Sequence, residues 1–125
     1  MSSISIPCIT LGKHRHIAET IAENVSSRLT AHNFSVNAIL DEDSFSPANI
    51  AVISRALAPR PKVLIIGGGF SDEQAEGAIE AWDEYVKEVG VEGTAVIRVT
   101  PGTLQKVGAA GIVDWLVEEL KVKFK

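Results

Sequence analysis

Short apolar runs and four-residue apolar stripes take turns along this chain, and their order predicts its elements. Ile4 to Thr10 is brief and rich in isoleucine, too β-branched for a helix, and reads as a first strand. Ile17, Ile21, Val25 and Leu29 then recur every four residues, while Glu19, Glu23 and Arg28 fall elsewhere. That spacing predicts a helix with one apolar face turned to a sheet and a stop at Asn33. Phe34 to Leu40 follows with few polar breaks, a second strand closed by the acidic turn Asp41-Glu42-Asp43.

Ser46-Pro47 restarts a helix, because serine caps free backbone donors and proline at the first helical position loses a hydrogen bond it would not have made. Ile50, Ile53 and Leu57 form its inner face, and Pro59 and Pro61 end it. Val63-Leu64-Ile65-Ile66 is continuously apolar, as expected of a central parallel strand covered on both faces. Ser71 with Gln74 matches a capping box, and Ala75, Ala78, Ile79, Trp82 and Val86 mark the buried side of a third helix. Gly90 and Gly93 bracket its exit. Thr94 to Val99 alternates, with Ala95, Ile97 and Val99 on one face, which suits a half-exposed edge strand carrying Arg98. Pro101-Gly102-Thr103 turns into a last helix whose apolar side is Leu104, Ile112, Trp115, Leu116 and Leu120. Gly108 and Gly111 are expected to let it pack closely on the sheet.

Four strand-helix units joined by right-handed crossovers generate an open parallel sheet between two helical layers. The expected fold is therefore a three-layer αβα domain over residues 1–125, with a four-stranded parallel sheet in the order 2-1-3-4. In such sheets ligands bind beyond the carboxyl ends of the strands, where the order reverses. Here that point lies between the first and third strands, walled by residues 10 to 16 and 67 to 72.

Composition narrows the partners. The 125 residues are a common size for one domain, and 46% hydrophobic with 22% charged is ordinary for a globular protein. A net charge of -4 argues against nucleic acid or an acidic membrane surface as a partner. The only cysteine, Cys8, has no internal disulfide partner, and Met-Ser-Ser-Ile lacks the features of a secretory signal, so a cytoplasmic protein is expected. No apolar run approaches the length needed to span a bilayer.

Against that acidic background, Thr10-Leu11-Gly12-Lys13-His14-Arg15-His16 concentrates cations and proton donors at the start of a helix. Free N–H groups and the helix dipole favour an anion there, and Lys13 and Arg15 add charge-assisted hydrogen bonds to a phosphate or carboxylate. The plain alternative is a solvated basic turn. His14 and His16 are candidate acid-base groups, but with no third ligand nearby a metal site is not expected. Cys8, inside a strand, reads as a buried inert thiol. Gly67-Gly68-Gly69-Phe70-Ser71 lets a phosphate or ring approach the backbone, or is simply a tight strand-to-helix turn. It lacks the third glycine of a dinucleotide fingerprint and the Gly-Lys-Ser/Thr of a phosphate-binding P-loop.

Thr10-Leu11-Gly12 followed by Ile17-Ala18-Glu19-Thr20-Ile21-Ala22-Glu23 resembles the phosphate loop and first helix of flavodoxin-like proteins, a family that binds FMN. Where that family places further hydroxyls, this chain has Lys13, His14 and Arg15. Cys8 with Arg15 also looks like the loop of low-molecular-weight tyrosine phosphatases, but six residues separate them here against five in that family. The broadest resemblance is to small Rossmann-like and flavodoxin-like proteins of unassigned function, which implies the fold and no activity.

Three functional expectations follow. The leading one is a domain that binds an anionic or phosphorylated small molecule, of nucleotide or cofactor type, through Thr10, Gly12, Lys13, His14 and Arg15, with Gly67, Gly68, Gly69, Phe70 and Ser71 opposite. The second is an enzyme using His14 or His16, or a bound FMN or NAD(P) cofactor. The third is a homodimeric interaction module, built on the edge strand and the helix bearing Trp115.

Overall fold

Residues 5–29 and 33–124 are described by a computed structural model, so Ile4, the expected start of the first strand, lies outside the described residues. The elements alternate without exception: β1 (Ser5–Leu11), α1 (Arg15–Arg28), β2 (Asn33–Leu40), α2 (Pro47–Ala56), β3 (Val63–Ile66), α3 (Asp72–Val89), β4 (Ala95–Arg98) and α4 (Pro101–Lys123). All strand pairs are parallel, in the order β2-β1-β3-β4. The expected α/β class and strand order are what the chain adopts, an arrangement of the flavodoxin or Rossmann type.

Side chains of successive strand residues point to opposite faces, so each strand feeds two cores. Ile6, Cys8, Val63, Ile65, Ile97 and Val99 enter the layer shared with α1 and α4. Ile9, Leu11, Leu40, Leu64 and Ile66 enter the layer of α2 and α3. Between Cys8 and Ile9 the pairing with β2 slips by one residue, leaving Asn37 as the extra residue of a bulge.

The capping signals hold. Ser46 accepts from the Asn49 N–H at 3.0 Å, and Ser71 and Gln74 form the reciprocal box at the head of α3. Gly90 closes α3 in the left-handed region at φ 75°, where glycine carries no steric penalty.

Other expectations need correction. Asn33 opens β2 and does not stop α1, which ends at Arg28. Ile17 is 56% exposed, and Ala18 takes the buried position at the head of α1. A four-residue stripe drifts by about 40° per step on a 3.6-residue helix, so a run continued from Leu29 and Val25 no longer faces the sheet by Ile17. Ile53, Leu57, Ile79 and Val86 are only partly buried, whereas Ala81 and Tyr85 are fully packed. Gly108 does not serve close packing: it sits at φ 72° and ψ 168°, breaks α4, and leaves open space where a Cβ would stand. Gly111 faces the side chain of Val107 on its own helix. Leu104, on the far side of the break, is 38% exposed and leaves the apolar stripe that Ile112, Leu116 and Leu120 continue.

Candidate functional site

Three strand ends meet where the order reverses, and two glycines let them meet closely. Gly12 donates to the Leu40 carbonyl at 3.0 Å and Gly67 donates to the Leu11 carbonyl at 2.8 Å, tying the loop after β1 to β2 and to β3. A Cβ on Gly12 would overlap the Cβ of Ala18, and one on Gly67 would lie 2.8 Å from the Leu11 oxygen. Without side chains at these points, α1 starts directly over the end of β1. Lys13 lies across Gly69, where a Cβ would come within 2.9 Å of its own.

Below this junction a cavity of about 720 Å³ runs between α1, α4 and the sheet. Its mouth is formed by Thr10, Gly12, Lys13, His14, His16 and the three glycines Gly67, Gly68 and Gly69. Its interior is apolar, with Ile21 and Val25 from α1, Val36 and Ile65 from the sheet, and Val113 and Leu116 from α4. Leu104 stands over the opening, beside Gly68. The ionisable side chains that line the cavity are Lys13, His14 and His16, all bases, in a chain with 16 acids and 12 Lys and Arg residues.

The head of α1 is electrostatically open. His14 is the N-cap residue in extended conformation, no side chain caps the helix, and its first turn holds no acid. Free N–H groups there carry the positive end of the dipole. Lys13 Nζ lies 3.9 Å from Glu42 Oε1 with both side chains well exposed, an arrangement worth little in water.

The structure gathers Thr10, Gly12, Lys13, His14, His16, Gly67, Gly68 and Gly69 at this mouth and leaves the remaining sequence candidates out. Arg15 turns toward β2, with Nε 3.2 Å from Asp41 Oδ2 and a terminal nitrogen donating to the Ile39 carbonyl at 2.6 Å. Asp41 is held below the usual carboxylate range, chiefly by the Ser44 hydroxyl and backbone N–H and then by Arg15. Phe70 is buried in the opposite layer with its ring tilted on Phe45 at 5.1 Å. The Ser71 hydroxyl is occupied at the head of α3, accepting from the Gln74 N–H at 3.1 Å. Arg15 and Phe70 point away because a partner elsewhere in the chain already engages each, and Ser71 because it caps its own helix.

Cys8 lies in the core, its sulfur 3.4 Å from the Thr10 hydroxyl. Burial pushes its thiol up to about 12, so it stays protonated and unreactive at neutral pH. Among the described residues no group of three His, Cys, Asp or Glu side chains is placed to hold a metal ion, and no helix is long and apolar enough to cross a membrane.

The apolar interior is what residue-by-residue reading missed. Its signals were two apolar residues that end up exposed at the opening, Ile17 and Leu104, and a glycine interrupting the last helix. The fold is thus that of the flavodoxin and Rossmann type, with a basic-rimmed cavity at the switch point. No protein-family model matches the chain, and no curated protein matches it in sequence.

Proposed function

We propose that this protein binds an anionic small molecule at the carboxyl ends of β1 and β3, with the anion at the head of α1. What carries the reading is a cavity of about 720 Å³ at the switch point whose ionisable lining, among the described residues, is basic throughout. A volume of this order is typical of small-molecule sites. Uncapped N–H groups of α1 and the backbone at Gly68 and Gly69 supply donors, and Lys13 supplies charge. His14 and His16 add charge when protonated. Cations at a helix N-terminus are unfavourable on their own, and a bound carboxylate or phosphate reverses that sign.

The test is thermal unfolding against inorganic phosphate, acetate, AMP, FMN, NAD and NADP. A ligand present at 100 times its dissociation constant stabilises the native state by about 2.7 kcal/mol, several degrees for a chain of this size. The expected result is a shift with at least one anion that shrinks in Lys13→Ala/His14→Ala and persists in Arg15→Ala, since Arg15 faces Asp41. Absence of any shift, or a shift indifferent to Lys13 and His14, overturns the reading.

A further inference from the structure

The anion site accounts for the rim of the cavity and leaves its apolar interior unexplained. We infer that the ligand is an amphiphile, a single anionic group carrying an aliphatic chain, and not a nucleotide; this rests on the anion-site reading above.

The wall chemistry argues for it. Beyond the rim the cavity presents Ile21, Val36, Ile65, Val113 and Leu116, and no carboxylate lines it among the described residues. A ribose needs acceptors for its hydroxyls, and a base needs partners for its ring nitrogens and exocyclic groups; buried without them, each polar group loses its water uncompensated. The polar side chains farther along the cavity are few: Thr20, whose hydroxyl proton goes to the His16 carbonyl within α1, and Asn24, which is exposed to water. Asp41, just past the end of β2, is engaged by Ser44 and Arg15. The aromatic pair Phe45 and Phe70 packs in the opposite layer, away from this cavity. Ile17 and Leu104, exposed beside the opening, lose apolar surface to water that a chain entering there would cover.

A chain buried among aliphatic walls leaves a signature that a headgroup does not, because each methylene taken out of water tightens binding about fourfold. The experiment titrates the protein calorimetrically, below micelle-forming concentrations, with a series of alkyl phosphates from ethyl to octyl, the matching carboxylates, octanol, inorganic phosphate and AMP. Affinity is expected to climb with chain length in the charged series, and the phosphate and carboxylate arms identify the headgroup. Val113→Trp, which fills the interior, flattens that climb; Ala110→Trp, on an exposed position of the same wall, does so if the first variant does not fold. A flat series with inorganic phosphate binding as well as octyl phosphate overturns the inference and leaves the anion site standing. Tighter binding of AMP than of octyl phosphate does the same. Octanol binding as tightly as its charged counterparts overturns the anion site while the apolar chamber survives, and no binding by any probe overturns both.

Discussion

One sheet, covered by two pairs of helices, is closed on one side and hollow on the other. In the α2 and α3 layer, Trp82 and Tyr85 pack ring on ring at 5.1 Å, Phe45 and Phe70 do the same, and the Tyr85 hydroxyl donates to the Pro61 carbonyl at 2.9 Å. In the α1 and α4 layer a cavity of about 720 Å³ is bounded mainly by aliphatic side chains, with Phe34 beside them and the bases Lys13, His14 and His16 at its rim. The aromatic side chains of that layer are Phe34, second in β2, Phe124 just past the end of α4, and Trp115, only partly buried on α4. Helix quality follows the same division. α3 has a capping box and a left-handed glycine cap, whereas α1 has no side-chain cap and α4 is broken at Gly108. Helices with strong end signals and large inward side chains close their side of the sheet. α1, with no side-chain cap, and α4, capped by Thr100 but broken at Gly108, border the chamber.

The largest expected effect separates the two layers directly. Trp82→Ala removes a ring that is 1% exposed and costs about 3–5 kcal/mol, while Ile21→Ala, which already faces empty volume, costs no more than about 2 kcal/mol. Urea unfolding of both variants measures this, and equal losses would mean that the hollow side is as tightly filled as the other.

Next comes volume added instead of removed. Ala78→Val overfills the closed layer and costs about 1–3 kcal/mol. Val113→Phe enters the cavity and stabilises by about 0.5–2 kcal/mol. Opposite signs in the same denaturation assay sharpen the comparison, and the same sign breaks it.

Smaller still is the difference at the helix heads. Ser71→Ala forfeits the cap of α3, a loss of about 1 kcal/mol, whereas His14→Ala forfeits no capping bond on α1.

The smallest effect is the acid response of the loop that holds Arg15. Asp41 titrates lower in the folded chain than in the unfolded one, so its contribution is complete above the ordinary carboxylate range and is lost as pH falls through its lowered native value. The stability gap between the wild-type chain and Asp41→Asn should therefore narrow on acidification. A gap that widens would show that Asp41 is not held low by Ser44 and Arg15.

Local patterns were enough for the caps and the central strand of the closed layer, though not for Ala81 and Tyr85, which are buried where Ile79 and Val86 were expected to be. The capping box at Ser71, the proline after Ser46 and the apolar run Val63 to Ile66 each depend on neighbours within a few residues, and each stands in the structure as read. The candidate site divides along the same line. Gly12, Lys13, His14 and the triple glycine were legible because strand-to-helix turns at a switch point have fixed positions. Arg15 and Phe70 were not, since a side chain's direction depends on partners that sequence leaves unnamed, here Asp41 and Phe45; Ser71 could have been set aside, because its hydroxyl was already committed to the capping box with Gln74.

By itself, the order of apolar and polar residues determined the alternation of strand and helix, and with it the parallel sheet, because periods of two and 3.6 are imposed by the backbone whatever surrounds it. Only the tertiary structure decided that Ile17 and Leu104 stand at an opening and that an apolar chamber lies beneath a basic rim. A cavity is volume left between elements far apart in the chain. It depends on how their side chains sum in space, which no local period encodes.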